Sequence, residues 1–354
     1  NYRTLGRSGL VVSPIAVGTM TLGPGGWHAD DATARAIFDA YREAGGNFID
    51  TADIYAGGGS EELVGRFIKE THSRDEIVLA TKFGFNASAN PLGDARTGAG
   101  NANAGGAGAK NIHRALDASL RRLGTDYVDL YWMHIWDGVT PAAELVETLG
   151  SLVRAGKIRY YALSDMPAWF AIKAATIAAE RGLPGPIAIQ VEYSLVARDV
   201  EAEHIPAARD AGMGVQPWSP LAGGFLSGKY RQSDTADTGR LSGANPFGDS
   251  KFSNRNWDVL DVVKAIAVEA DVSPAQVALA WVMARPGVSS TLIGARTIEQ
   301  LKGNLASASL ALDQGQMSRL NEASAPANTF TAGLTSPAVR RMIFGGHDVR
   351  GWGE

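Results

Sequence analysis

The stretch NFIDTADIYAGGGSEELVGRFI, residues 47–68, contains one complete unit of the predicted fold. It opens on apolar residues, continues through Asp50, Asp53 and Tyr55, and enters a helical pattern after three glycines. An apolar run that ends in polar residues just before a helix is typical of a buried strand followed by a functional loop. The same order of strand, loop and helix recurs along the rest of the chain.

Short apolar runs rich in β-branched residues occur eight times and predict eight strands. Helical patterns with apolar residues three and four positions apart alternate with them, which favours a closed (β/α)8 TIM barrel. The alternative is an open doubly wound sheet. It should carry G-x-G-x-x-G after its first strand, and VGTMTLGPGGWH lacks that spacing. The strands are predicted at 15–19, 47–51, 77–83, 127–134, 160–164, 187–193, 214–220 and 291–295.

Several predicted helices begin at a capping residue and end at glycine, as in the pairs Asp31 with Gly45 and Asn111 with Gly124. The segment before the first strand, YRTLGRSGLVV, predicts a small β-hairpin that turns at GRSG. We expect this N-terminal hairpin to close the bottom of the barrel.

The whole chain, 1–354, is expected to form one barrel domain, because barrels of this length are common. Two segments interrupt the alternation and are expected to be extended loops at the active-site end. They are the Gly-rich segment 86–110, which we expect to be flexible, and a segment at about 230–256. The C-terminal tail, 325–354, carries large apolar side chains among glycines and prolines and is expected to form part of the substrate pocket wall. The alternatives are packing against the outer helices of the barrel or assembly with another subunit.

The composition, with 45% hydrophobic and 20% charged residues, is that of a folded protein rather than a disordered one. A formal net charge of −4 makes nucleic acid or an anionic membrane an unexpected partner. The absence of cysteine excludes disulfides and thiol nucleophiles, and the six histidines lack ligand spacing, so no metal site is expected. The first residues lack the apolar core of a signal peptide, so we expect a cytoplasmic protein.

Barrel enzymes carry their functional residues at the C-terminal ends of the strands. The sequence places seven polar or aromatic residues there, with Tyr55 in the loop after the second strand; the seven are Asp50, Lys82, His134, Ser164, Gln190, Trp218 and Arg296. Lys82 can lower the pKa of the phenol, Asp50 can hold the lysine charged, and His134 can orient an oxygen that gains negative charge. A buried Asp–Lys pair can also be purely structural, and His134 can be a hydrogen-bonded core residue. The convergence of four complementary groups favours a catalytic site.

Arg296 lies just before Thr297, where Thr297 and Gln300 form the T-x-x-Q of a capping box. An arginine is poorly placed against the positive end of a helix dipole unless an anion lies between them. The alternative is a solvated surface arginine.

Seven blocks of sequence resemble, in order, the successive motifs of the aldo-keto reductases, with most similarity to the bacterial and potassium-channel-β-like branch. They are NFIDTADIYAGGGSEELVG, LATKFG, SLRRLGTDYVDLYWMH, ALSDM, IQVEYSL, PWSPLAGGFLSGKY and LIGARTIEQLKGNL. The resemblance implies an NADP(H)-dependent oxidoreductase that acts on a small carbonyl or alcohol substrate by direct hydride transfer. It implies a catalytic tetrad of Asp50, Tyr55, Lys82 and His134, with Tyr55 as proton donor and no catalytic role for Asp53.

The same resemblance implies the cofactor-binding residues. Ser164 and Gln190 match the pair that binds the nicotinamide amide, Trp218 matches the aromatic residue that stacks on the ring, and Arg296 matches the residue that holds the 2′-phosphate. The residue after the serine is usually asparagine in the family, whereas this chain has Asp165, which can donate a hydrogen bond only when protonated. The implied set is Gly18, Thr19, Met20, Ser164, Asp165, Gln190, Trp218, Ser219, Leu221, Gly223, Lys229, Arg240, Gly294, Arg296, Gln300 and Asn304.

Two other function classes stay open. Lys82 could form a Schiff base in a lyase, and the barrel could be an NADP(H)-binding regulatory subunit, as the potassium channel β subunits imply. The presence of His134 favours turnover, because it completes the tetrad. Trp27, Phe85 and Trp136 are candidates for the pocket lining, although core packing explains each equally well.

Overall fold

The computed structural model describes residues 1–24, 28–86, 101–232, 241, 251–327, 333–334 and 336–349. All eight predicted barrel strands and the N-terminal hairpin are present, so the predicted (β/α)8 barrel is confirmed. The hairpin pairs β1 (Arg3–Thr4) with β2 (Val11–Val12). The barrel strands are β3 (Ile15–Gly18), β4 (Phe48–Asp50), β5 (Val78–Phe83), β6 (Val128–Met133), β7 (Ile158–Ser164), β8 (Ala188–Glu192), β9 (Gly214–Trp218) and β10 (Thr291–Ile293).

The barrel strands are parallel, and each pairs with the next along the chain, from β3 to β9, while β10 returns to pair with β3. The remaining junction, between β9 and β10, is a seam held by one bridge that joins Val215 to Val288. There the Val215 N–H donates to the Gly287 carbonyl at 2.9 Å and the Ser289 N–H donates to the Val215 carbonyl at 2.9 Å. The barrel is therefore nearly closed, with its least extensive pairing at the seam.

The helices surround the sheet, and two predicted N-caps were wrong. Asp30 rather than Asp31 caps the first helix, because the Asp30 side chain accepts from the Thr33 N–H. The third helix begins two residues before Asn111, which bonds to the Gly106 carbonyl instead. The helices are α1 (Asp31–Glu43), α2 (Gly59–Thr71), α3 (Ala109–Leu123), α4 (Ala142–Arg154), α5 (Ala168–Glu180), α6 (His204–Asp210), α7 (Asn254–Glu269), α8 (Pro274–Met283), α9 (Ile298–Ala306), α10 (Gln314–Ala323) and α11 (Pro337–Ile343).

The core has two layers. The larger layer lies between the strands and the helices, and a smaller one fills the barrel interior. Leu5 and Val12 of the hairpin are fully buried in the inner layer, which confirms that the hairpin closes the bottom. At Gly6 (φ 62°) a Cβ would come within 2.6 Å of the Gly214 nitrogen, so only glycine fits this turn against the barrel.

Much of the two predicted loops lies outside the described residues, namely 87–100, 233–240 and 242–250. The described part of the tail exposes Met342, Ile343 and Phe344, and none of the α11 residues is buried. Phe330 and Trp352, also expected to help form the pocket wall, lie outside the described residues, as does Trp27, so the role of the tail stays a prediction. Across the described ranges no single helix is both long and apolar enough to cross a membrane; α7 and α8 pass that test only as a pair bent by 101°.

Candidate active site

Asp50, Lys82 and Tyr55 form one hydrogen-bonded group at the C-terminal end of the barrel. Asp50 ends β4, Lys82 lies on β5, and both side chains are fully buried. The Lys82 ammonium donates to the Asp50 carboxylate, to the Thr51 carbonyl at 3.0 Å and to the Tyr55 hydroxyl at 3.3 Å. These three contacts match the three N–H donors of an ammonium group.

The glycines of the opening stretch shape the turn that presents Tyr55. The Tyr55 N–H donates to the Ala52 carbonyl at 3.2 Å, and the next three residues, Ala56, Gly57 and Gly58, have φ values of 50°, 64° and 98°. Glycine adopts this region at little cost, whereas a side chain clashes with the backbone there, so Gly57 and Gly58 let the turn continue past the strained Ala56. The chain can thus reverse direction and enter α2 directly after the tyrosine.

Burial and charge act in opposite directions on Lys82. Burial alone would lower the pKa of the ammonium, but the Asp50 carboxylate and Tyr55 outweigh it and raise the pKa above its usual value. Burial raises the pKa of Asp50, and Lys82 and Gln190 oppose that change. Lys82 therefore stays cationic beside the tyrosine.

His134 follows β6 and lies next to Tyr55. The two rings are arranged edge to face with centroids 5.7 Å apart, and Phe85 contacts the imidazole at 4.9 Å. Burial, and then Lys82, lower the pKa of His134 well below its ordinary value, so the ring is neutral near pH 7. Its Nδ1 atom is buried and has no hydrogen-bond partner in the part of the chain described. The structure thus brings together all four residues of the predicted tetrad.

Two glutamines extend this group across the barrel. Gln190 and Gln216 are register partners on β8 and β9, and the Gln190 amide nitrogen donates to Asp50 Oδ2 at 3.1 Å and to Gln216 Oε1 at 2.6 Å. The Gln190 amide nitrogen therefore faces the tetrad, which leaves the amide oxygen as the group that could accept from a nicotinamide amide. Sequence analysis missed Gln216; the available signal was a glutamine inside the otherwise apolar strand GVQPW.

Ser164, Asp165 and Trp218 form a second hydrogen-bonded group at the mouth. Trp218 Nε1 donates to Asp165 Oδ1 at 2.9 Å, and the Ser164 hydroxyl donates to Asp165 Oδ2 at 3.3 Å. Desolvation raises the pKa of Asp165 to about 6, against hydrogen bonds from Trp218 and Ser164 that lower it, although the residue as a whole is exposed. Asp165 occupies the sequence position at which the family usually has asparagine. It accepts a hydrogen bond from Trp218, the residue that the resemblance implies would stack on the nicotinamide ring.

The loop after β9 carries Ser219, Leu221, Gly223 and Lys229. Ser219 and Gly223 have positive φ values of 50° and 66°, and the Ser219 hydroxyl accepts from the Gly223 N–H at 3.0 Å. The end of the Lys229 side chain lies against Gly224, where a Cβ would come within 2.8 Å of the ammonium nitrogen. The loop therefore presents an ammonium group on a glycine surface, which suits a phosphate. Arg240 lies outside the described residues.

The start of α9 differs in one detail from the predicted capping box. The Thr297 hydroxyl accepts from the Gln300 N–H at 3.2 Å, but Gln300 Oε1 accepts from the Arg296 N–H at 2.9 Å instead of the Thr297 N–H. This bond fixes the backbone of Arg296 at the helix N-terminus. Arg296 and Gln300 are exposed, whereas Asn304 is buried.

The remaining candidates lie around the end of β3. Thr19 is buried, its N–H donates to the Asp50 carbonyl at 2.9 Å, and its hydroxyl accepts from the Ser60 hydroxyl at 2.7 Å. Met20 packs against the cluster that contains Tyr55. Gly18 ends β3, and Gly294 is exposed after β10. Thr19 and Met20 thus contact the tetrad from the side of β3.

Asp53 is buried, which the sequence did not indicate. It is 3% exposed, and neither carboxylate oxygen has a hydrogen-bond partner among the residues described. Burial, and then the Glu61 carboxylate, raise its pKa to about 7. Glu61 itself is satisfied by Thr81 and Arg122. Asp53 is therefore a buried titratable residue in the loop that carries Tyr55, and it takes no part in the hydrogen bonds of the tetrad.

Comparison with known proteins agrees with this geometry. Residues 14–325 match the model of the Aldo/keto reductase family. The chain is 37% identical over 330 residues to the uncharacterized oxidoreductase YrpG of Bacillus subtilis, covering 91% of this chain and 95% of that protein. It is 34% identical over 317 residues to an aryl-alcohol dehydrogenase of Pestalotiopsis microspora (88% and 79% covered). It is 36% identical over 312 residues to a probable voltage-gated potassium channel subunit beta of Oryza sativa (86% and 90% covered). The chain belongs to the aldo/keto reductase family of oxidoreductases.

Proposed function

We propose that this protein is an NADP(H)-dependent oxidoreductase that reduces an aldehyde or ketone to an alcohol by direct hydride transfer, with Tyr55 as the proton donor. The observation that carries the proposal is the hydrogen-bonded group of Asp50, Lys82 and Tyr55, with His134 against the tyrosine ring. A buried phenol that lies beside a cation and a neutral imidazole can protonate a carbonyl oxygen.

The residues at the mouth fit a nicotinamide dinucleotide. The partly exposed Trp218 offers a ring for stacking, Ser164 and Gln190 offer polar atoms for an amide, and Lys229 and Arg296 offer positive charge farther out. When bound, the cofactor supplies the hydride to the carbonyl carbon. Arg296 at the N-terminus of α9 supports NADP(H) over NAD(H), because its guanidinium suits a phosphate that only NADP(H) carries.

The tetrad residues would act on the carbonyl oxygen. Tyr55 donates its proton to that oxygen as the carbon is reduced, and the Lys82 ammonium stabilises the phenolate that remains. Asp50 holds the ammonium in place. The neutral His134 ring can donate a hydrogen bond to the same oxygen and fix its direction. Burial strengthens each of these electrostatic contacts, because little water competes with them.

The two alternatives make different demands on these residues. A Schiff-base lyase needs a neutral amine, whereas the raised pKa of Lys82 and its three hydrogen bonds favour a fixed ammonium. A regulatory subunit, suggested by the name of the rice relative, would bind NADPH without turnover. The complete tetrad supports turnover.

The test is NADPH oxidation with a panel of aldehydes, diketones and cyclic ketones. Tyr55→Phe should lower kcat by about 10²- to 10⁴-fold with NADPH affinity nearly unchanged, because only the proton donor is lost. Tyr127→Phe is the matched control, since Tyr127 lies just before β6, at the opposite end of the barrel, between Arg74 and Arg159. A Tyr55→Phe protein with most of the wild-type kcat would contradict the assignment. NADPH binding without turnover of any carbonyl would favour the regulatory subunit.

A further inference from the structure

We propose that the Asp165 carboxylate makes this site favour the oxidised cofactor, NADP⁺, over NADPH, compared with the same site carrying a neutral residue there. This inference rests on the proposed function, because it concerns the nicotinamide that Trp218 and Ser164 would hold. It goes beyond that function by assigning the site a preference between the two redox states of the cofactor.

The structure holds Asp165 in one orientation. Its N–H donates to the Gln190 carbonyl at 3.2 Å, and its carbonyl accepts from the Trp136 N–H at 3.3 Å. Its φ of 45° is left-handed, a conformation that Asp and Asn tolerate better than most residues. The hydrogen bond from Trp218 Nε1 then fixes the carboxylate beside the indole ring. A nicotinamide stacked on Trp218 would therefore lie within reach of this charge.

Other acidic residues lie near Asp165 on this side of the mouth. A cavity of about 320 Å³ is lined by Asp165 and Trp218 together with Glu192, Asp199 and His204. Glu192 is paired with Lys251 at 3.0 Å, and the His204 ring bonds to the Met166 carbonyl at 2.8 Å. Lys82, which is buried, is already paired with Asp50. Asp165 is thus the carboxylate in direct contact with the ring that would stack on the cofactor.

The charge of the nicotinamide gives the direction of the effect. The oxidised ring carries a formal positive charge and the reduced ring is neutral, so a nearby carboxylate attracts the first and not the second. Asp165 is mostly ionised above its pKa of about 6. An amide at this position would still accept from Trp218 through its oxygen and could donate to the Ser164 hydroxyl through its nitrogen, but it would carry no charge.

The test is calorimetric titration of the full-length protein with NADP⁺ and with NADPH at about pH 8, where Asp165 is ionised. Asp165→Asn should raise the ratio of the Kd for NADP⁺ to the Kd for NADPH by about tenfold, mainly through weaker NADP⁺ binding. Asp199→Asn is the matched control, because it removes a carboxylate from the lining of the same cavity and leaves the hydrogen bond between Asp165 and Trp218 in place. The ratio of the two Kd values for Asp199→Asn should stay close to that of the wild type. Asp165→Glu, which keeps the charge, should also stay close to the wild type.

The outcomes separate charge from structure. Equal weakening of both nucleotides by Asp165→Asn would show that Asp165 only positions Trp218, and would overturn the inference. An unchanged ratio, or the same change in Asp199→Asn, would also overturn it. If Asp165→Asn does not fold, Asp165→Ser, which is also neutral, should raise the ratio about tenfold, and a wild-type ratio in that variant would overturn the inference. Wild-type protein that binds neither nucleotide would refute the proposed function itself.

Discussion

Replacing Asp53 by Asn should change how the stability of the barrel depends on pH. Asp53 is 3% exposed, lacks a hydrogen-bond partner among the described residues and lies near Glu61, and these conditions raise its pKa from 3.8 to about 7. The folded protein therefore keeps Asp53 protonated at a pH where the unfolded chain has already released that proton. Protonated Asp53 thus stabilises the fold below about pH 4, and this contribution is lost as the pH rises to about 7.

The size of the effect follows from the two pKa values. A difference between about 7 and 3.8 corresponds to about 4 kcal/mol in the free energy of unfolding. Asn at this position is neutral at every pH, so Asp53→Asn should gain stability relative to the wild type by most of that amount between about pH 4 and pH 8. For a chain of this length this corresponds to a relative increase in Tm of roughly 5–10 °C.

The assay is the Tm of both proteins at a fixed scan rate across that pH range. Asp137→Asn is the control. Burial acts to raise the pKa of Asp137, but hydrogen bonds from Ala107, Val139 and Thr140 outweigh it and lower the pKa. The ionised Asp137 therefore stabilises the fold above the ordinary pKa of an aspartate, and this contribution is lost only as the pH falls below that value. The difference in Tm between Asp137→Asn and the wild type should thus be constant between about pH 5 and pH 8. A constant difference for Asp53→Asn as well would refute the reasoning, because it would mean that Asp53 is ionised in the folded protein.

Three further predictions concern the site and the tail. Lys82→Met should abolish activity and lower the free energy of unfolding by about 3–5 kcal/mol, because Asp50 is left as an unpaired buried charge; adding Asp50→Asn should recover stability, by denaturant unfolding, but not activity. Arg296→Ala should weaken NADPH binding about tenfold to a hundredfold and leave NADH binding nearly unchanged, and equal losses would contradict its phosphate role. Truncation after Ala325 should leave Tm nearly unchanged because α11 buries no side chain, while KM and substrate ranking should change if the tail reaches the pocket. Collapse of the fold on truncation, or unaltered kinetics, would each contradict the pocket role of the tail.

The barrel and its tetrad were predictable because their signals are local in the sequence. Parallel strands covered on both faces leave short apolar runs, such as the one at Val128–Met133, and strand ends meet at one face whatever the detailed packing. Asp50, Lys82 and His134 could therefore be assigned to one site from their positions alone. The resemblance to the family then added Tyr55 as proton donor and the cofactor residues.

The details that escaped prediction depend on packing between distant segments. Asp53 has a polar side chain in a loop, and its burial follows from the packing of the folded chain around it. The two glutamines pair because β8 and β9 align them, and no short pattern encodes that register. At the start of α9, Gln300 Oε1 accepts from the Arg296 N–H, so the sequence motif predicted the Thr297 cap but not the partner of the Gln300 side chain.

The seam between β9 and β10 lies between two of the segments assigned to the cofactor. The segment 219–229 leaves the barrel from β9, and the segment 296–304 follows β10. A sheet opens most easily where its ladder is shortest, so the Val215 and Ser289 amides should exchange with solvent earlier than those of the other barrel junctions. A dinucleotide bound by both segments would hold β9 and β10 together at this junction. Slower amide exchange at Val215 and Ser289 on adding NADPH would thus report cofactor binding without any turnover. The junction that opens most easily in the unliganded barrel would then be the one that the bound cofactor stabilises.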